Sequence, residues 1–177
     1  AIKDLYAKLF RRALYQVGEL WECNEISVAK EHLATSITES LMSLVYPYLF
    51  AESKCGKKAV ISCATNEFHQ VGGKMVADVF ELNGWDGHFL GANTDQDELM
   101  RFIQKEEPDI VGLSISLLAN LDSLLAGIDA IKANFKDIDI LVGGQAFRWG
   151  GIDKITRYNN VYYIHSLADL EQMIEVI

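Results

Sequence analysis

The chain has 177 residues, half of them hydrophobic, and a formal net charge of −9. This length suggests one compact domain with or without a small cap, and the hydrophobic content excludes wholesale disorder. The acidic balance disfavours direct nucleic-acid binding, because it repels phosphate backbones. The longest apolar run, at residues 41–50, is too short for a membrane span, and the charged N-terminus does not resemble a signal peptide.

The three cysteines Cys23, Cys55 and Cys63 lack the spacing of a zinc knuckle. We therefore expect reduced thiols in a cytoplasmic protein. The sequence opens at Ala1 rather than Met, which is compatible with a trimmed part of a longer protein.

Residues 1–50 carry helical spacing and no strand signal. A first helix is predicted at about residues 3–17, with Gly18 at its end. A longer helix follows, with Asn24 as its N-cap. Its apolar positions recur at steps of three or four and so share one face: Ala29, Leu33, Ile37, Leu41, Leu44, Val45 and Tyr48. Residues 51–56 are predicted to be a polar joint.

From Lys57 onward, strand and helix patterns alternate. Strands are predicted at residues 59–63, 88–90, 110–113, 138–142 and 161–164. Helices are predicted at residues 71–82, after Thr94, at residues 121–135, and from residue 169 to the end. Gly84 would end the first of these helices. Thr94 would be the N-cap of the second, with Asp97 in an acidic capping box.

Five βα units with buried parallel strands predict an α/β fold, a flavodoxin-like (Rossmann-like) five-stranded parallel sheet with strand order 2-1-3-4-5. We expect an N-terminal helical-bundle cap at residues 1–54 and the α/β domain at residues 55–177.

Ligands of such sheets bind beyond the carboxyl ends of the strands, so three loops carry the chemistry. The loop after strand one holds Asn66, Glu67, Phe68, His69, Gln70, Val71, Gly72 and Gly73. The loop after strand three holds Ser114, Ile115, Ser116, Leu117 and Leu118. The loop after strand four holds Gly143, Gly144 and Gln145.

Common ligands of this fold do not fit these loops. The G-x-G-x-x-G pattern of a dinucleotide site is absent, and Lys74 is not followed by the Ser or Thr of a phosphate loop. What remains is His69, a good ligand type for cobalt, iron or zinc, with Glu67 placed to accept its second ring N–H. An ordinary loop histidine among turn glycines is the alternative interpretation.

The order Glu67-x-His69-x-x-Gly72, Ser114-x-Ser116 and Gly143-Gly144 resembles the signature of cobalamin-binding domains, over nearly all of residues 57–177. That signature has Asp-x-His-x-x-Gly, Ser-x-Leu and Gly-Gly on the same loops. The resemblance implies that His69 is the lower cobalt ligand, and that the nucleotide tail threads between the second and third loops. Glu67 and Ser116 depart from the family's Asp and Leu, and the first departure is expected to lengthen or weaken the contact to His69.

The helices before Lys57 are candidates for covering the upper face of a corrin ring. Glu31, His32, Val28 and Thr35 share one helical face, and Trp21 lies nearby in sequence. A core tryptophan and a solvated polar edge would give the same pattern.

Trp21, nine residues, then Glu31-His32 resembles the upper-face motif of light-dependent cobalamin photoreceptors, in which it packs against the adenosyl group. Glu67 is similar to the Glu that those proteins often carry. Where their best-known members have a histidine directly after the tryptophan, this chain has Glu22, which puts a bis-histidine light state in doubt.

Stand-alone photocobilins are similar in lacking a DNA-binding domain, and they bind a bilin such as biliverdin as well. Aromatic residues could line a second pocket for it: Tyr46, Tyr48, Phe50, Tyr158, Tyr162 and Tyr163. Core and interface roles are the alternative for these residues.

The leading hypothesis is an adenosylcobalamin photosensory module, not an enzyme, acting through a homo-oligomer or a protein partner, without nucleic acid or membrane. A corrinoid carrier of a methyltransferase system is the alternative. A mutase small subunit and a cofactor-free interaction domain are further possibilities.

Overall fold

A computed structural model describes residues 2–50 and 53–177 of the protein. The chain divides into two compact units, Ala1–Phe50 and Ala51–Ile177. The polar joint predicted at residues 51–56 lies partly outside the described residues. Within the described ranges, every helix is too short or too polar to cross a lipid bilayer.

The first unit is helical. Its elements are α1 (Ile2–Asp4), a π-helical segment (Leu5–Phe10), α2 (Arg11–Glu22), α3 (Val28–Val45) and a 3-10 turn (Tyr46–Tyr48). Helices α2 and α3 pack against each other, and the tight turn between them makes them a helical hairpin.

The predicted ends of these helices were wrong at two places. Gly18 lies inside α2, which continues to Glu22, because one glycine weakens a helix without ending it when the flanking residues are good helix formers. Asn24 adopts a left-handed φ of 58° in the turn, and Ser27 is the N-cap of α3 through its bond from the Lys30 amide. Trp21 therefore belongs to the last turn of α2.

The second unit alternates strands and helices. Its strands are β1 (Lys58–Cys63), β2 (Asp86–Phe89), β3 (Ile110–Ser114), β4 (Asp139–Gly143) and β5 (Val161–Tyr163). Its helices are α4 (Val71–Leu82), α5 (Gln96–Glu106), α6 (Leu121–Asn134), α7 (Ile152–Ile155) and α8 (Leu167–Val176). The cap of α5 is Asp95 rather than the predicted Thr94: its carboxylate accepts the Asp97 and Glu98 amides.

All five strands are parallel, in the order β2-β1-β3-β4-β5. The predicted flavodoxin-like sheet is confirmed. Strand β1 alternates its side chains between two cores, with Val60 on one side of the sheet and Ala59 and Ile61 on the other. Because the strand order reverses at β1, a crevice forms at the carboxyl ends of β1 and β3.

Two of the tyrosines considered for a bilin pocket belong to the sheet's own packing. Tyr158 and Tyr163 pack against the larger core, and Tyr163 contacts the ring of Phe147 with centroids 5.0 Å apart. Such contacts are those of core aromatics.

We expect Gly18→Ala to raise the free energy of unfolding by about 0.5–1 kcal/mol, since alanine costs less backbone entropy in a helix. No atom lies within 4 Å of the added Cβ. Thermal and urea unfolding followed by far-UV circular dichroism measure this. The contrasting variant is Gly144→Ala, at a φ of +113° with its Cβ 1.9 Å from the Ile115 carbonyl oxygen, which should destabilise strongly. A loss of stability in Gly18→Ala would contradict the continuous α2.

Candidate functional site

The loop after β1 is held in place by backbone and amide bonds before any ligand is considered. Asn66 adopts a φ of 67°, and its amide donates to the Asn93 side chain at 2.8 Å. The Asn93 amide donates in turn to the Glu67 carbonyl at 2.7 Å. The chain therefore enters α4 from a fixed position, with His69 two residues before its start.

The Glu67 side chain is fully buried, yet its carboxylate is surrounded by donors from three segments of the chain. One oxygen accepts the His69 amide at 2.9 Å and lies 2.5 Å from His69 Nδ1. The other accepts the amides of Ser116 at 2.7 Å and Leu117 at 3.2 Å, and the Asn120 side-chain amide at 3.0 Å. The extra methylene of Glu relative to Asp thus leaves a close contact to His69, and the expected lengthening was wrong.

These donors set the ionisation of Glu67. Burial by itself would raise the pKa, but the hydrogen bonds from His69, Ser116 and Asn120 outweigh it and lower the pKa from 4.5 to about 2. A charged carboxylate beside Nδ1 favours a proton on that nitrogen, which directs the lone pair of the imidazole to Nε2.

Cys63 lies behind this pair, with its sulfur 3.7 Å from the His69 carbonyl oxygen. Burial, together with the Glu67 charge, raises the pKa of the Cys63 thiol to about 12. The thiol stays protonated at neutral pH and does not compete with His69 as a metal ligand.

The imidazole of His69 is 41% exposed, so it is accessible to solvent at the carboxyl ends of the strands. Large apolar side chains beside it in sequence and on the neighbouring loop are also exposed: Phe68, Leu117 and Leu118. No atom lies within 4 Å of a Cβ placed on Gly72, whereas a Cβ on Gly73 would be 2.9 Å from the Phe89 ring. Gly72 thus leaves open space, while Gly73 serves the packing of α4 on β2.

The loops after β3 and β4 touch directly. The Ile115 amide donates to the Gly143 carbonyl at 3.1 Å, and Gly144 lies so close to the Ile115 backbone that only glycine fits. Gln145 opens a 3-10 turn behind this contact, and Ser114 ends β3 beside it. The two loops form one continuous surface next to the Glu67 cluster.

Asn120 is a site residue that the sequence analysis missed. It stands at the start of α6 without capping that helix, and its amide donates to both the Glu67 carboxylate and the Asn66 carbonyl. An Asn directly before a helix is usually an N-cap, so the sequence pattern favoured a capping role and gave no indication that Asn120 binds Glu67.

Two further predicted residues lie at the start of α4, where Gln70 directly precedes the helix and Val71 is buried in its first turn. The others lie in the helical unit. The Thr35 hydroxyl donates to the Glu31 carboxylate at 3.0 Å, and His32 Nε2 lies 3.5 Å from the same carboxylate group. Trp21 is 37% exposed at the end of α2, and Val28 is half-exposed at the start of α3. The structure therefore brings together Glu31, His32 and Thr35 in one unit, and Glu67, His69 and Ser116 in the other.

Within the described residues, no three His, Cys, Asp or Glu side chains come together as a metal-binding group. The site thus has a single imidazole oriented by a carboxylate. One such ligand suits a metal whose remaining positions are filled by a macrocycle.

We expect Glu67→Gln to lose about 3 kcal/mol of stability at neutral pH, because the carboxylate pKa is about 2 in the folded chain and ordinarily 4.5. The stability from a lowered pKa is present above pH 4.5 and is lost as the pH falls towards 2. The difference between wild type and variant should therefore shrink on acidification in urea unfolding from pH 7 to pH 3. Glu175→Gln, on the exposed end of α8, is the control. A difference independent of pH would argue against a charged Glu67.

Comparison with known proteins matches two family models, both described as a B12 binding domain. One covers residues 57–152, more than half of the chain, and the other covers residues 1–46. The chain is 29% identical over 126 residues to the HTH-type transcriptional repressor CarA of Myxococcus xanthus, covering 70% of this chain and 42% of the repressor. It is 27% identical over 137 residues to the repressor CarH of the same organism, covering 76% and 45%. The chain thus spans less than half the length of these two relatives.

Among solved structures, the monomethylamine corrinoid protein of Methanosarcina barkeri aligns with a TM-score of 0.74 at 20% identity, covering 98% of this chain and 83% of that one. This similarity confirms the fold. Together with the family match over the three loops, it leads to one conclusion: the chain belongs to the B12-binding domain family.

Proposed function

We propose that this cobalamin-binding chain is a photosensory module that uses adenosylcobalamin and does not itself catalyse a reaction. The observation that carries the proposal is the polar group on α3, in which Thr35 and His32 both contact the Glu31 carboxylate, following Trp21 at the spacing of the light-dependent photoreceptors. The similarity to CarA and CarH supports the same reading.

The residues of the α/β unit fit a corrinoid. His69 offers a partly exposed imidazole whose Nδ1 is held by a charged, buried carboxylate, as a lower cobalt ligand requires. Phe68, Leu117 and Leu118 offer exposed apolar surface for a large flat ring, and Gly72 leaves its approach open. The nucleotide tail would lie along the joined surface of the Ser114–Ser116 and Gly143–Gly144 loops, with Asn66, Gln70, Val71 and Gln145 at its edges.

In the proposed mechanism, adenosylcobalamin supplies a cobalt–carbon bond that light can break. Glu67 keeps the His69 tautomer fixed throughout, because its pKa lies far below neutral pH. Trp21, Val28, Glu31, His32 and Thr35 would bind the upper group. If light removed the upper group, these residues would lose their contacts with it. The states before and after light would then differ in contact free energy, which any switch needs.

We expect His69→Ala to weaken cobalamin retention by at least about tenfold, since the protein's only cobalt ligand in the proposal is removed. Binding is measured by equilibrium dialysis with hydroxocobalamin. His165→Ala, the exposed histidine just after β5, is the matched control and should bind as wild type does. Added imidazole should partly restore the ligand-dependent absorption of His69→Ala. Unchanged affinity would exclude His69 as the lower ligand.

A corrinoid carrier of a methyltransferase system is the second candidate. The observation in its favour is Glu22, which stands where the photoreceptors' light-state histidine would be. A carrier needs an open upper face, whereas a photoreceptor needs one shaped for adenosine.

The two candidates differ in upper-ligand preference. We expect adenosylcobalamin to bind more tightly than methylcobalamin, with its absorption changing irreversibly under green light, and Trp21→Ala to abolish the preference while leaving hydroxocobalamin affinity intact. Tyr46→Ala, another exposed aromatic of the helical unit, is the control. Preference for methylcobalamin together with a light-stable spectrum would support the carrier instead.

A further inference from the structure

The loop that carries His69 has a neighbour on each side, because β1 lies between β2 and β3 in the sheet. The β3 side provides donors to the Glu67 carboxylate. On the other side lies the loop between β2 and α5, residues 90–95, which contains none of the predicted site residues. Contacts from two directions therefore hold the β1 loop.

Hydrogen bonds join the β1 and β2 loops along their length. The Cys63 amide donates to the Gly91 carbonyl, and the Thr65 hydroxyl donates to the Thr94 carbonyl, both at 3.1 Å. Between Gly91 and Thr94 lies Asn93, which has a left-handed φ of 48°. Asparagine tolerates this conformation better than most residues that carry a side chain. The β2 loop can therefore present both the amide and the side chain of Asn93 to the same neighbour.

Asn93 binds two successive residues of the β1 loop, Asn66 and Glu67. Its side-chain oxygen accepts the Asn66 amide at 2.8 Å, and its own amide donates to the Glu67 carbonyl at 2.7 Å. The other two backbone groups of this pair are also bonded. The Asn66 carbonyl accepts the Asn120 side-chain amide at 3.2 Å, and the Glu67 amide donates to the Ala64 carbonyl at 3.0 Å. Asn93 thus provides half of the bonds that hold this stretch of backbone.

The backbone and the carboxylate of Glu67 are held by different loops. Asn93 holds the backbone, whereas the amides of Ser116 and Leu117 hold one oxygen of the carboxylate. The other oxygen lies 2.5 Å from His69 Nδ1. A hydrogen bond weakens steeply when its distance or angle changes. A backbone shift at Glu67 would therefore change the orientation of the imidazole even while the carboxylate kept its partners on the β3 side.

We propose that Asn93 is a positioning residue for the lower cobalt ligand, and that the loop after β2 is a fourth loop of the site. By holding the backbone of Asn66 and Glu67, Asn93 fixes the carboxylate relative to the His69 imidazole. It acts through Glu67 and not as a ligand. The inference rests on the proposed function to the extent that His69 binds cobalt, which the photoreceptor and the carrier have in common.

Two variants separate the side-chain bond of Asn93 from its backbone conformation. Asn93→Gly keeps the left-handed φ and the amide that binds the Glu67 carbonyl, but it removes the acceptor for the Asn66 amide. Asn93→Asp keeps an acceptor at the same place. The matched control is Asn160→Gly, which replaces another left-handed asparagine, with a φ of 56°, directly before β5.

Amide hydrogen exchange of the chain without cobalamin measures the contact itself. We expect the Asn66 amide to exchange about tenfold faster in Asn93→Gly than in the wild type, because one hydrogen bond is lost. Its rate in Asn93→Asp and in Asn160→Gly should stay near that of the wild type. An unchanged Asn66 rate in Asn93→Gly would overturn the proposal.

Electron paramagnetic resonance of bound cob(II)alamin measures the ligation at neutral pH. In ¹⁵N-labelled protein, a protein nitrogen on cobalt gives doublets, whereas the cofactor's own benzimidazole gives triplets. We expect doublets in the wild type, in Asn93→Asp and in Asn160→Gly. In Asn93→Gly the ratio of protein-ligated to unligated cobalt should fall about tenfold, as is usual when a partner that orients a metal ligand is disturbed.

The two measurements distinguish failure of this inference from failure of the proposed function. A wild-type spectrum without doublets would remove His69 as the lower ligand, and the positioning role of Asn93 with it. Wild-type ligation in Asn93→Gly, despite faster exchange of the Asn66 amide, would overturn the positioning role alone and leave His69 as the ligand.

Discussion

The site depends on one interaction, the buried carboxylate of Glu67 with donors from three parts of the chain. A carboxylate without water is stable in a protein only when hydrogen bonds replace its hydration. Here backbone amides of the β3 loop, the Asn120 side chain and the His69 imidazole together provide that replacement. The position of the imidazole is therefore a consequence of how the charge is satisfied.

The rest of the fold brings those donors to one place. Parallel strands deliver their carboxyl ends to the same edge, and the reversal of strand order at β1 sets the β1 and β3 loops side by side. Gly144, which fits only without a side chain, locks the β4 loop onto the β3 loop. The sheet thus holds the loops in place, and through Glu67 it fixes the orientation of the His69 imidazole.

The sequence was sufficient for features that depend on local pattern. Helix α4 was predicted at its observed bounds because an apolar period and the left-handed Gly84 mark it. The helix end predicted at Gly18 was wrong because the residues around it in α2 are good helix formers. The cap predicted at Thr94 was wrong because the Asp95 side chain accepts the amides at the start of α5. Asn120 was not predictable, since its partner Glu67 lies 53 residues away in the chain.

The same carboxylate that fixes His69 also holds the loop leading into α6, through Ser116, Leu117 and Asn120. Because both oxygens of the Glu67 carboxylate are engaged in these hydrogen bonds, a displacement of the imidazole is expected to displace that loop as well. The His69 imidazole and the start of α6 are therefore coupled through one buried carboxylate, so that a ligand that moves the imidazole would also strain the start of that helix.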